Sequence, residues 1–464
     1  MKRRVFLRST AVAVAAGIVS GCDLDRQKAR SNVLLLMTDQ QHSSMLGRGV
    51  DPWLNTPAVD YLAEQGTRYT SAYVGNPSCG PSRVGMATGV MPGRFGIWEN
   101  GSIKRSDARK VTGAGASLGQ LMKSAGYNTF YGGKAHMTAD LHPSRAGYDK
   151  FYRGRRETLP DATLDFVKRS RGKPFFAVAS FLNPHDIAYA HAVRNGQRNV
   201  PPSVRALYDR ASALSENQLP PLPSNFLPQT NEAGAISIFG KRKATTPSLA
   251  MREVYSEREW RVYRWMYRRL TEEADGQIAR ILDGLKESGL EDNTTVLFVS
   301  DHGDMDASHQ LASKGVMYDE SVRVPLLIRH PGRVAAGRVD ERLVSTSLDV
   351  LPSLCHFAGI DPPSNLLGLP LTSDTATHRY IVAENVWSRM VRTERYKYCV
   401  YTEGEPRESL VDMKLDRGET RNLASSPEYA DEINRHRAHL REWTERSGDP
   451  YGQRFLPGIK EAIA

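Results

Sequence analysis

The chain has 464 residues, 40% of them hydrophobic and 25% charged, and a formal net charge of +10. That length fits one large α/β domain with an appendage, and the apolar share excludes wholesale disorder. No interior stretch reaches the roughly 18–20 apolar residues that a membrane span requires.

The opening segment reads as an address. Lys2, Arg3, Arg4 and Arg8 precede an apolar run over residues 11–19, which ends in Ser20-Gly21-Cys22. A charged start, a short apolar middle and small residues at the cut are the layout of an export signal. Arg3-Arg4-Val5-Phe6-Leu7 resembles a twin-arginine signal. Residues 18–22 resemble a bacterial lipoprotein box, so a lipid on Cys22 is expected to be the chain's one membrane contact, at a periplasmic or cell-surface location. Without the four cations of that segment the rest of the chain carries +6. This suits an acidic partner but does not choose among nucleic acid, anionic lipid and an anionic polymer or small molecule.

Residues 32–37, Asn-Val-Leu-Leu-Leu-Met, form an apolar run that stops at Thr38-Asp39-Gln40. This is the pattern of a buried central strand in a parallel sheet. Ligands in such sheets sit beyond the carboxyl ends of the strands, which places Asp39 and Gln40 for chemistry. Thr56-Pro57 then predicts a helix, with Thr56 as N-cap and Gly66 at its end. The strand-then-polar pattern recurs. Residues 127–131 run into Lys134 and His136, residues 174–182 into His185 and Asp186, and residues 295–300 into Asp301-His302-Gly303-Asp304. Alternation of such strands with helical segments predicts a doubly wound, mostly parallel sheet sandwiched by helices.

Residues 201–250 are Pro-rich and weakly periodic. They read as a long surface insertion, part of a substrate-proximal segment over 187–250. A long helix is expected over 253–289, its aromatic stripe at 260–267 serving core packing. Beyond residue 372 the periodicity shortens. Antiparallel strands are expected at 380–385, 396–402 and 408–415 and a helix at 426–446, giving a catalytic domain over 31–372 and a smaller C-terminal α+β subdomain over 373–464.

The sharpest motif is Cys79-Gly80-Pro81-Ser82-Arg83, continuing to Thr88-Gly89. Pro81 in a first turn places a helix start here. Cys79 then lies at the positive end of that helix, where an anion is favoured, and Arg83 shares its face one turn on. Cys79, Cys355 and Cys399 make an odd number for an exported chain, and an unpaired thiol in an oxidising compartment needs an explanation.

Here the residues resemble a known family. Cys-x-Pro-Ser-Arg followed by Thr-Gly is similar to the signature of the type I sulfatases of the alkaline phosphatase superfamily. Gly126-Tyr127-Asn128-Thr129 with Gly133-Lys134-Ala135-His136, the segment from Tyr318 to Pro325, and Leu410-Val411-Asp412 through Asn422-Leu423 resemble further blocks of that family, in the same order. The resemblance implies an alkaline phosphatase-like fold: a large mixed, mostly parallel sheet, with a short antiparallel sheet in the C-terminal subdomain. It implies that Cys79 is converted to formylglycine by a formylglycine-generating or anaerobic sulfatase-maturating enzyme, and that the hydrated aldehyde is the nucleophile. The family's Asp-Asp appears here as Asp39-Gln40 and its Asp-Asn as Asp301-His302. The implied metal set is thus Asp39, Gln40, position 79, Asp301 and His302. Carboxylates and an amide oxygen suit Ca²⁺ or Mg²⁺, whereas the imidazole leans towards Mn²⁺ and its like; the resemblance favours Ca²⁺.

By the same resemblance, Arg83 and Lys134 hold the hydrate and the sulfate. His185 or Lys314 protonates the leaving alcohol, and His136 removes the second hydroxyl proton. Lys134, His185, His309 and Lys314 are the expected substrate contacts. The expected activity is that of an exported sulfatase (a sulfuric ester hydrolase) acting on a sulfated carbohydrate, with no role for nucleic acid. Gln40 and His302 also resemble the phosphonate and phosphate ester hydrolases of the superfamily, and a non-catalytic lipoprotein that binds sulfated glycans is the alternative from another class.

Overall fold

The computed structural model describes residues 30–47, 49–104, 116–170, 172–242, 248–373 and 376–456. The expected signal over 1–22, with Cys22, lies outside them. No helix of the described residues is long and apolar enough to cross a membrane.

Strand β1 (Asn32–Asp39) shows how the sequence builds the layers. Its side chains alternate faces, as in any strand. Val33, Leu35 and Met37 enter one core with Val350, Leu354 and Phe357 of the helix Thr346–Ala358. Leu34 and Leu36 enter the opposite core with Ile278, Ile281 and Leu285 of the long helix Glu257–Glu287. A strand apolar on both faces is thereby sealed between two helical layers.

The remaining strands of this sheet are β2 (Thr67–Tyr73), β3 (Asn128–Gly133), β4 (Lys150–Tyr152), β5 (Phe175–Pro184), β6 (Thr294–Ser300), β7 (Leu326–Arg329) and β8 (Arg338–Ser345). Their order is β4-β3-β5-β1-β6-β7-β2-β8. All neighbours pair in parallel except β7, which runs antiparallel to β6 and β2. β1, β3, β5 and β6 therefore end on one edge and deliver Asp39, Lys134, His185 and Asp301 there. A separate antiparallel sheet follows in the C-terminal region, of order β12-β11-β10-β9. It comprises β9 (Tyr380–Glu384), β10 (Ser388–Thr393), β11 (Tyr396–Tyr401) and β12 (Glu408–Asp412) and packs on the helix Ala430–Ser447.

Three local expectations are corrected. The helix at Pro57 runs to Glu64, but Thr56 does not cap it with its side chain. Thr56 Oγ1 accepts instead from Gly47 N at 2.8 Å, and the amides of Ala58 and Val59 donate to the Asp275 carboxylate at 3.0 and 2.9 Å. A carboxylate from a distant helix thus does the capping. The 201–250 segment is not a plain loop: it holds helices Pro202–Ser212 and Gly234–Arg242 and the start of Ser248–Val254. Pro202 sits in a first turn, where its missing N–H costs nothing. Arg258 and Arg261 of the long helix bind backbone carbonyls of Ser212, Leu214, Leu219 and Pro220. The third correction is an added strand: β10 lies between two expected ones.

Candidate active site

Cys79 begins the helix Cys79–Thr88, after Ser78 in extended conformation, so its side chain stands at the positive helix end. It is 2% exposed. Around it the strand ends assemble a cluster: Asp39, Cys79, Asp301 and His302 each offer a ligand atom, and these atoms all lie within 4.8 Å of one another. His302 Nε2 is 3.0 Å from Cys79 Sγ. His302 Nδ1 is 2.9 Å from the carbonyl of Gly303, which can only accept. Nδ1 therefore carries the hydrogen, and in the neutral ring Nε2 turns a lone pair into the cluster, the pose of a metal ligand.

Arg83 is 1% exposed and joins the ends of four strands at this point. Its guanidinium donates to Asp301 Oδ2 at 2.8 Å, Asp39 Oδ2 at 3.0 Å, Ser180 Oγ at 2.8 Å and the Lys134 carbonyl at 2.6 Å. With four acceptors engaged, it holds the carboxylates in place. Lys134 Nζ lies 2.5 Å from Asp39 Oδ2 and 3.8 Å from Cys79 Sγ.

The electrostatics follow from this crowding. Burial alone would raise Asp39, but Lys134 and Arg83 hold it well below the usual carboxylate range. Burial and the neighbouring Asp39 charge push Asp301 up to about 6. Two like charges share one dry site, so one stays ionised at the other's expense. Burial and Asp39 also raise the Cys79 thiol, yet Lys314, His302 and Lys134 together hold it well below its ordinary value. The locus favours an anion at position 79.

Lys314 is half-buried and its Nζ donates to Gln40 Oε1. Gln40 Nε2 donates to Asp304 Oδ2 at 2.7 Å, which fixes the amide so that its oxygen faces Lys314. Gln40 adopts a left-handed φ of 74°, and its own N–H donates to Asp301 Oδ1 at 3.1 Å. His185 opens the turn after β5. Burial lowers it to about 3, against the pull of Asp39, so its ring is neutral at neutral pH.

Three expected residues are placed otherwise. Gln40, expected as a metal ligand, commits its amide oxygen to Lys314 and its amide nitrogen to Asp304. The His136 side chain is exposed, at a left-handed φ of 44°, and lines the cavity beside Lys134; it is His302 that touches Cys79. His309 is fully buried and stacks on Tyr318 with ring centroids 4.0 Å apart, so it is sealed from an entering substrate. Sequence reasoning missed Asp304, Tyr263 and Tyr267. Tyr263 Oη donates to Asp304 at 2.9 Å, and Tyr267 Oη donates to the Gln40 carbonyl at 2.5 Å. The aromatic stripe is core packing whose hydroxyls also brace the site. Only the adjacency of Asp304 to Asp301 hinted at this.

The loop after β6 is strained: Asp306, Ala307, His309, Gln310 and Ser313 all have positive φ, which persists only where the surroundings over-determine it. Asp306 supplies one fastening. It pairs with Arg264 at 3.0 Å and Arg268 at 3.4 Å, with His42 at 3.6 Å. Burial opposes its charge, but Arg264 and Arg268 lower it from 3.8 to about 2. A depressed carboxylate contributes stability that is present above pH 3.8 and is lost as pH falls towards 2. Wild type is expected to lose about 2 kcal/mol more than Asp306→Asn between pH 5 and pH 2. Denaturant melts across that range check it; parallel pH profiles would refute the fastening.

Comparison with known proteins agrees with this geometry. A family profile described as Sulfatase matches residues 31–360, and one described as N-sulphoglucosamine sulphohydrolase, C-terminal, matches residues 307–446. The chain is 29% identical over 459 residues to a Delta 4,5-hexuronate-2-O-sulfatase of Bacteroides thetaiotaomicron, covering 91% of this chain and 90% of that one. The structure of a 2-O GAG sulfatase superposes with a TM-score of 0.76 at 27% identity, over 91% of this chain and 94% of that one. A phosphonate monoester hydrolase from Silicibacter pomeroyi gives 0.72 at 19% identity, over 90% and 96%, which speaks to the fold alone.

Proposed function

Because this chain belongs to the sulfatase family and is a sulfuric ester hydrolase, we propose that it is an exported enzyme that desulfates a sulfated carbohydrate. A glycosaminoglycan-type uronate 2-O-sulfate is the first candidate substrate. The observation that carries the chemistry is the helix-borne Cys79 beside two buried carboxylates and His302, ringed by Lys134, Lys314 and Arg83. End-to-end likeness to the hexuronate 2-O-sulfatase supports the substrate class.

The donor set fits a divalent cation. Asp39, Asp301 and the Nε2 of His302 would hold it, with an oxygen at position 79; Cys79 Sγ stands where an oxygen of the hydrated formylglycine belongs. When present, these two groups supply Lewis-acid polarisation of a sulfate oxygen and an attacking hydroxyl. Among the metals, Ca²⁺ is the choice the carboxylates favour. The protein's own contribution is fixed charge. Lys134 and Lys314 face the sulfate oxygens, on which negative charge accumulates as sulfur is transferred. Arg83 positions the carboxylates. Lys314 gives its proton to the leaving alcohol, while His185, neutral at neutral pH, orients that oxygen by hydrogen bonding. Export and lipid attachment at Cys22 rest on the twin-arginine-like and lipoprotein-like residues of the first 22.

The test is sulfate release from a panel of defined sulfated disaccharides, using enzyme from the envelope fraction of producing cells. A sulfate monoester, a phosphate monoester and a phosphodiester of one shared leaving group run beside it. Release from the 2-O-sulfated uronates, lost on chelation and restored best by Ca²⁺, is the expected result. Dominant phosphodiesterase activity, or turnover of small aryl sulfates above every glycan, overturns the reading.

A further inference from the structure

A cavity of about 550 Å³ adjoins the Cys79 cluster at the carboxyl ends of β3, β4 and β5. It shares two walls with that cluster. Lys134 also reaches Asp39 and Cys79, and Ser180 also accepts from Arg83. Its volume lies in the range of ligand pockets, enough for a sugar ring beyond the one at the nucleophile. Between Lys134 and His136 the chain has only the small Ala135.

The lining is one-sided in charge. It includes Lys134, His136, His142, Arg153, Arg155 and Arg156, and no carboxylate. Two of these arginines are already engaged: Arg156 with Asp186 at 2.5 Å and Arg155 with Glu157 at 3.4 Å. Arg153 is different. It is exposed, and among the described residues it meets no carboxylate; its guanidinium lies 5.8 Å from the centre of the Phe151 ring. Phe151 in turn stands edge-on to His142, with ring centroids 4.9 Å apart at 88°. A flat apolar ring with a free guanidinium above it is a surface for a sugar that carries an anion.

The turn that carries Arg153 is tightly built. A Cβ on Gly154 would come within 2.1 Å of Tyr152 Oη, and that hydroxyl is itself bonded to Thr158 Oγ1 at 2.6 Å. Arg153 therefore leaves the chain next to the edge strand β4, and its planar guanidinium loses less freedom per hydrogen bond than an ammonium would on taking an oxyanion.

We propose that this cavity is a second anion subsite, in which Arg153 receives a sulfate on the hexosamine adjoining the uronate being desulfated. The proposal rests on the glycan-sulfatase reading and deepens it: the enzyme selects polyanionic chains over singly sulfated sugars. A sulfate and a carboxylate present the same paired oxygens to a guanidinium, so the two sources are separated by the probes.

The experiment measures binding to the turnover-deficient Cys79→Ala protein in the presence of Ca²⁺. The probes are heparin-derived disaccharides carrying one, two or three sulfates, each with its uronate intact or reduced to the alcohol. Affinity is expected to rise with the number of anions. Arg153→Ala should weaken the trisulfated disaccharide about ten-fold more than the monosulfated one, Arg153→Lys should restore part of the difference, and Arg153→Glu should deepen it. The selectivity should also fade in high salt. If the arginine variants erase the gain from the extra sulfates, which lie on the adjoining hexosamine, the subsite stands; if they erase only the gain from the intact uronate, the group that Arg153 meets lies on the sugar being desulfated and the adjoining subsite is overturned. An equal effect of Arg153→Ala on every probe, or none, overturns the subsite while leaving sulfatase activity in the release assay untouched. Failure of every disaccharide both to bind and to release sulfate removes the glycan reading itself.

Discussion

Replacement of Cys79 by alanine is expected to lower kcat for sulfate release by a factor on the order of 10⁴ or more, because the proposed nucleophile is carried at this position. The fold should survive. The substitution removes one sulfur atom from the first residue of a helix whose first turn also holds Pro81, and the Arg83 contacts with Asp39 and Asp301 do not pass through it. A far-ultraviolet spectrum like that of wild type is therefore the companion observation. Mass spectrometry of the peptide holding residue 79 tests the proposed aldehyde: the active protein should show the mass change of thiol-to-aldehyde conversion. Retention of more than about one-hundredth of wild-type turnover in Cys79→Ala would assign the nucleophile elsewhere.

Arg83→Ala should be the most damaging substitution for both stability and activity. It leaves Asp39 and Asp301, each fully buried, without the cation that bridges them. Removing one partner of a buried ion pair costs about 3–5 kcal/mol; here the two carboxylates stay desolvated with Lys134 and His302 left beside them. Arg83→Lys should recover little. An ammonium cannot reach two carboxylates, a hydroxyl and a carbonyl from one fixed plane as a guanidinium does. Saturating Ca²⁺ should offset part of the stability loss, since a bound cation compensates the same two carboxylates. Thermal melts with and without Ca²⁺, alongside sulfate release, provide the check. A variant that melts with wild type and turns over normally would refute the bridging role.

The same buried charges show why some features were legible in the sequence and others were not. The apolar runs that end in Asp39, Lys134, His185 and Asp301 announced parallel strands, and the structure brings those four ends to one sheet edge. β10 was hidden because Ser-Arg-Met-Val-Arg-Thr does not read as a buried strand. Arg389 is nonetheless 1% exposed, paired with Asp449 at 2.8 Å and set between the rings of Trp98 and Phe455. Its partners come from far along the chain, and no local pattern contains them. Asp275 capping a helix more than 200 residues away is the same case.

What the sequence determined by itself is what depends on neighbours along the chain: strand against helix, the helix start at Cys79, Arg83 one turn on, and the family to which the motif belongs. What only the tertiary structure decided is what each polar atom faces. His136 sits two residues from Lys134 and is exposed at the mouth of the neighbouring cavity, while His302 reaches Cys79 from beyond the end of another strand. Gln40 spends its amide on Asp304 and Lys314, and Asp306 fastens the strained loop to the long helix. The physical reason is that hydrogen bonds and ion pairs act over a few ångströms in space. Which groups come that close is set by how the layers pack, and a motif fixes only the order in which its residues arrive.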